Sequence, residues 1–169
     1  SFNDNVRDSV LWTQFGTGAA ENNGRVEIAL PISTIGYSGY ASAVNWDATA
    51  SEARVRVDSA GNQALASLEV FPIIFYLNAS NSVYFLISGN VLRAYRRVAG
   101  VNTSLATMAY SATTHKFLRM REAAGVTYWE YSAKGATWTT LHSVASPITL
   151  TSIQVQMQAG TYASEASAT

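Results

Sequence analysis

Apolar and polar residues alternate with a period of two along most of this chain. Arg54-Val55-Arg56-Val57-Asp58, Val83-Tyr84-Phe85-Leu86-Ile87-Ser88, Leu118-Arg119-Met120-Arg121-Glu122 and Ile153-Gln154-Val155-Gln156-Met157-Gln158 all show it. Such alternation sets one face of a strand on a core and the other in water. Between these runs stand turn signals: Asn22-Asn23-Gly24, Ser59-Ala60-Gly61-Asn62, Ser88-Gly89-Asn90, Ala99-Gly100-Val101-Asn102, Ala123-Ala124-Gly125 and Ala133-Lys134-Gly135. No segment keeps an apolar stripe at helical spacing for three turns. The pattern predicts an all-β chain with strands at 12–15, 25–30, 40–44, 53–57, 65–76, 83–88, 91–98, 104–110, 116–122, 127–132, 138–143 and 153–159. So many strands predict two antiparallel sheets packed face to face, since one twisted sheet rarely grows so wide. Pro72, inside an otherwise strand-like run, removes a ladder donor and predicts a bulge or an edge there.

The length of 169 residues suits a single β-sandwich domain over 1–169, with the Ala/Ser-rich end, 163–169, frayed. The chain opens on Ser1 and is expected to be covalently linked to neighbouring domains of a longer chain. Lys plus Arg number 11 and Asp plus Glu number 11, a zero balance that argues against nucleic acid as a partner. No apolar run approaches the ~18 residues of a membrane span, so no membrane insertion is expected. With no cysteine there is neither a disulfide framework nor a thiolate metal site. Charged residues make up only 13% of the chain, whereas aromatics make up 11%, with 4 Trp and 9 Tyr. Tyr and Trp suit flat contact surfaces.

Three stretches together carry a family resemblance. Phe2-Asn3-Asp4-Asn5, followed by Asp8 and Trp12, resembles the opening of concanavalin A-like (laminin G-like) jelly-roll domains. Asn23-Gly24-Arg25-Val26-Glu27-Ile28 resembles their second strand. The stretch from His115 to Ser143, with Ala159-Gly160-Thr161-Tyr162 and Glu165 at the end, is similar to a module of actinobacterial secreted proteins and phage tail proteins. Lys134 stands where that module has Asp. The resemblance implies a jelly-roll fold and a non-catalytic module that recognises a polysaccharide or cell-surface glycan. It also implies an extracellular or virion location, within a larger secreted enzyme or a phage tail protein. The alternatives are a structural virion or protein-interaction domain without glycan binding and, weakest, a glycoside hydrolase.

Catalysis finds little support in the residues. β-Glucanases of this fold carry an E-x-D-x-x-E strand, which sets acid and nucleophile about 5 Å apart. Here no two acidic residues share a strand at that spacing, and neither His115 nor His142 sits in a nucleophile-elbow context. The expectation is therefore no enzyme and no catalytic residue. No cofactor is required. A structural Ca²⁺ has candidate oxygen ligands in Asp4, Asn5 and Glu165 if the two ends of the chain meet. The competing reading is that Asp4 and Asn5 organise a turn.

Arg54, Arg56, Arg119, Arg121, Gln154, Gln156 and Gln158 all fall on polar parity. They make either a sugar-binding face or a solvated sheet with cross-strand pairs such as Arg119 or Arg121 with Glu130. Trp12, Phe85, Phe117 and Trp138 are expected to fill the sandwich. Tyr37, Tyr40 and Trp46 lie in the glycine-rich stretch GYSGYASAVNWD, read as a loop that exposes flat rings. Tyr95 and Arg97 share one parity, and Trp129 shares another with Tyr131. The expected ligand-binding set is thus Tyr37, Tyr40, Trp46, Tyr95, Arg97, Trp129 and Tyr131.

Overall fold

The computed structural model describes residues 4–30 and 35–165, and among these every regular element is a strand. In chain order they are β1 (Trp12–Phe15), β2 (Ala19–Asn22), β3 (Arg25–Ile28), β4 (Gly36–Ser42), β5 (Glu52–Arg56) and β6 (Leu68–Asn78). Then follow β7 (Asn81–Ser88), β8 (Val91–Val98), β9 (Val101–Ala109), β10 (Phe117–Ala123), β11 (Val126–Ser132), β12 (Thr139–Ala145) and β13 (Gln154–Thr161). Four of the hairpins turn on two residues that both have positive φ: Asn23-Gly24, Gly89-Asn90, Ala99-Gly100 and Ala124-Gly125. That is the backbone sense whose twist matches paired strands.

The strands make a seven-stranded antiparallel sheet in the order β1-β4-β13-β6-β7-β8-β9 and a four-stranded sheet in the order β12-β11-β10-β5. The β2–β3 hairpin forms a third, small sheet. It lies against β4, where the Gly18 amide donates to Ser38 Oγ at 3.0 Å. Phe75, Val83, Phe85, Ile87, Leu92 and Ala94 of the large sheet meet Leu118, Met120 and Trp129 of the small one in one apolar core. Trp129 is fully buried, and its indole Nε1 donates to the Tyr84 carbonyl at 3.0 Å, so its polar atom is satisfied across the two layers. The architecture is a two-sheet antiparallel jelly roll of the predicted class.

Pro72 falls where β6 slips register against both β13 and β7, so it sits at a bulge in an interior strand rather than at an edge. The bulge has a consequence for the surface. Val70 and Phe75 both face the core although they are an odd number of residues apart, so Phe71 and Ile74 share the opposite face.

Two aromatic expectations are corrected here. Trp138 and Phe117 do not fill the sandwich. Phe117 has the parity of Arg119, away from buried Leu118, and Trp138 lies under the guanidinium of Arg119 at 4.4 Å from its ring centroid. Part of the predicted frayed end is also tied down: Ser67 Oγ donates to the Ala163 carbonyl, and the Ser67 amide to the Glu165 carboxylate. Residues 166–169, like Phe2 and Asn3 of the opening motif, lie outside the described residues.

Candidate functional site

One face of the seven-stranded sheet is covered by the second sheet; the other meets solvent and is nonetheless apolar at its centre. Cross-strand pairing sets its side chains in rows. One row runs Gln156–Ile74–Tyr84–Tyr95–Ser104, and the next runs Gln154–Tyr76–Ser82–Arg97–Asn102. Tyr84 and Tyr95 stack with centroids 5.4 Å apart and planes at 7°. Phe71 tilts against Tyr84 at 5.4 Å, and Tyr37 meets Phe71 edge-on at 5.9 Å. The result is a strip of four rings, Tyr37, Phe71, Tyr84 and Tyr95, running obliquely over β4, β6, β7 and β8.

The polar atoms around the strip are tied to the floor. Tyr84 Oη donates to Asn102 Oδ1 at 3.3 Å, and burial first, with the neighbouring Tyr95 next, pushes its phenol up to about 12. Tyr37 Oη donates to Glu69 Oε2. Burial and then this bond to a carboxylate raise the Tyr37 phenol above its ordinary value. Between Tyr37 and Glu69 the sheet carries Gly160, whose missing side chain leaves the way across β13 open. A Cβ there would stand 2.1 Å from the Gly36 carbonyl oxygen and 2.6 Å from the Tyr37 ring. Glu69 is the one acidic residue in the seven strands of this sheet.

Of the residues expected at the site, Tyr37, Tyr95 and Arg97 lie on this face. Tyr40 does not. Strand β4 begins at Gly36, earlier than the predicted strand at 40–44, and so takes in the first half of the stretch read as a loop. Three positions separate Tyr37 from Tyr40, so the pleat sends Tyr40 to the opposite side, 1% exposed. Trp129 and Tyr131 are likewise corrected: they point inward from β11, and their neighbours Tyr128 and Glu130 point out. Trp46 is 47% exposed on a single bridge to Ile153, in the connection between β4 and β5. Phe71, Tyr76, Tyr84 and Glu69 lie on this face and are absent from the expected ligand-binding set. The signal for the three rings is that Leu68–Leu77 and Val83–Ile87 are apolar at both parities, which corrects the reading of Val83–Ser88 as an alternating strand.

The acidic candidates for Ca²⁺ accept backbone hydrogen bonds. Asp4 Oδ1 accepts from the Val6 amide at 3.1 Å, and Glu165 accepts from the Ser67 amide. No three acidic or histidine groups converge as a metal site among the described residues. His115 is buried between Tyr110 and Tyr131, with Nδ1 accepting from the Ser111 amide at 2.9 Å, and burial lowers its pKa. A separate groove of about 800 Å³ opens between β3 and β5 over Trp12, Pro72, Val155 and Met157.

No family model matches the chain, and no curated protein sequence matches it. Solved structures do. It superposes on the apo Crh5 transglycosylase with a TM-score of 0.66 at 8% identity, covering 92% of this chain and 65% of that one. It superposes on a prokaryotic β-1,3-1,4-glucanase (lichenase) from a mouse hindgut metagenome with a TM-score of 0.64 at 9% identity, covering 97% and 85%. With the carbohydrate-binding module CBM66 from Bacillus subtilis the TM-score is 0.55 at 10% identity, covering 90% and 92%. The fold is therefore concanavalin A-like, as the sequence resemblance implied. This chain spans about two thirds of the transglycosylase. The expectation that the chain is no enzyme is corrected by the same finding: a transglycosylase and a glucanase stand among the structures it resembles.

Proposed function

We propose that this protein binds an extended polysaccharide outside the cell, laid across the open face of the seven-stranded sheet. The observation that carries the reading is the strip Tyr37–Phe71–Tyr84–Tyr95, apolar and ring-floored, with no layer of the described protein over it. The C–H face of a pyranose stacks on such rings, and desolvating it contributes about 1–2 kcal/mol per ring. Gln154, Gln156, Ser104 and Asn102 supply polar groups beside the rings, matched to sugar hydroxyls. Retention on insoluble and soluble polysaccharides tests the reading: wild type is retained, and Tyr95→Ala is released earlier. A domain that serves only as a virion or protein-contact module is retained by none of them.

A second reading, cleavage or transfer of the bound glycan, is favoured by Glu69, whose carboxylate lies on that same face and holds the Tyr37 hydroxyl. Two carboxylates carry glycosidase chemistry, so the companion to Glu69 has to come from outside these seven strands. New reducing ends or chain-length redistribution on a bound glycan, abolished in Glu69→Gln with retention intact, is the outcome this reading requires.

A further inference from the structure

Arg97 is the one charged side chain that the seven strands place on this face without a hydrogen bond or ion pair among the described residues. Its Nε is buried and has no hydrogen-bond partner. None of the ion pairs formed among the described residues includes it. The other arginine on the face, Arg93, is different: its guanidinium donates to the Ser88 carbonyl at 2.8 Å. The lone carboxylate of the sheet is also too far to serve. Glu69 lies seven positions along β6 from Tyr76, the β6 residue in Arg97's row, or roughly 20 Å at strand rise.

The geometry points to an acidic polysaccharide as the ligand, with Arg97 binding the anionic group of one sugar while a neighbouring ring stacks on Tyr95; this rests on the proposed glycan-binding face. Tyr95 and Arg97 are alternate residues of β8, about 7 Å apart along the strand, close to the reach of a substituent on a stacked pyranose. Arg97 has Ser82 on one side and Asn102 on the other, and the Asn102 carboxamide oxygen is already occupied by Tyr84 Oη. No carboxylate within its row competes for the guanidinium, so an incoming anion meets an unneutralised, partly desolvated fork of donors. A planar guanidinium suits a uronate carboxylate or a sulfate ester, both of which present paired oxygens. The zero net charge of the whole chain conceals this, because ten of its eleven acidic residues lie outside the seven strands that form the face.

The test is affinity electrophoresis and titration calorimetry of the intact chain against polygalacturonate, dextran sulfate and neutral lichenan. Wild type should bind one of the two anionic polymers at least ~10-fold tighter than lichenan, corresponding to ~1.4 kcal/mol. The preferred polymer identifies carboxylate or sulfate as the recognised group. Arg97→Gln, checked for an unchanged melting temperature, should bring that affinity down to the lichenan level, while Arg54→Gln on the other sheet leaves it in place. Equal affinity for neutral and anionic chains, unaltered in Arg97→Gln, overturns the acidic specificity and leaves the glycan-binding face standing. Tight anionic binding that Arg97→Gln does not change also overturns it. Retention by none of the three and by no other polysaccharide removes both.

Discussion

The two sheets of this sandwich both present arginines to solvent, and they dispose of them in opposite ways. On the four-stranded sheet every outward arginine is neutralised by the sheet itself. Glu130, 4% exposed, accepts from Arg119 Nε at 2.7 Å and from Arg121 Nε at 3.0 Å. Glu52 pairs with Arg54 and Arg119, and Asp58 with Arg56. Arg121 lies over Tyr128 at 3.7 Å and Arg119 over Trp138 at 4.4 Å, so even the flat rings are taken. On the seven-stranded sheet Tyr84 is buried among the half-buried rings of Tyr37, Phe71 and Tyr95, no second sheet covers them, and no ion pair among the described residues includes Arg97. A closed network of this kind stabilises its own layer, whereas an open ring floor with an unpaired cation has its strongest interactions still to make. Arginine content alone would not distinguish the two; pairing does.

That contrast predicts different losses from changes in each layer. The largest should come from beneath the four-stranded sheet. Trp129→Ala opens a cavity in the core and removes the indole donor to the Tyr84 carbonyl, and should destabilise by about 3–5 kcal/mol in chemical denaturation. Glu130→Gln should be next, at about 2 kcal/mol, because two partly buried guanidinium groups lose a charged acceptor; glycan retention should be unaffected. The same carboxylate sets an acid limit. Burial would raise the Glu130 pKa, but hydrogen bonds from Arg121 and Arg119 outweigh it and hold the pKa below its ordinary 4.5. The folded form thus favours the ionised carboxylate, so its contribution is complete above pH 4.5 and is lost as pH falls through the lower folded-state pKa. Glu130→Gln should flatten that part of the stability profile, and an unaltered acid limb would count against the network.

Changes on the open face should reverse the pattern. Tyr95→Ala should weaken polysaccharide binding about tenfold, ~1.4 kcal/mol, while costing no more than about 1.5 kcal/mol of stability through the lost Tyr84 stack. A stability loss without any change in binding would mean that the rings of this face only pack. Trp46→Ala should have the smallest effect, within about 0.5 kcal/mol of wild-type stability, since nearly half of that side chain is already in water. Its effect on retention should be smaller than that of Tyr95→Ala.

Much of this arrangement is legible along the chain. Val91–Val98 is the predicted strand residue for residue, and the Arg–Glu130 pairing follows from strand parity and the Ala124-Gly125 turn. Strand β2 was missed because Ala19-Ala20-Glu21-Asn22 has poor strand propensity and is held by its partner β3. Starting strand β4 at Tyr40 and leaving Gly36–Gly39 in a loop had the same root. Its glycines signal flexibility locally, but Gly39 is needed because a Cβ there would stand 2.1 Å from the Met157 carbonyl oxygen of the adjacent strand. No local rule reports that neighbour.

The sequence by itself determined the period of two, the two-residue turns and therefore which residues of each strand share a face. Those are properties of neighbouring residues and their backbone angles. Tertiary structure alone decided which face is inside wherever both parities are apolar, as in β6 and β7, and whether Trp129 or Tyr128 would be the outward ring of β11. It also decided that Tyr37 could reach Glu69 over Gly160. Burial depends on the layer laid against a strand, and that layer is assembled from residues far away in the chain.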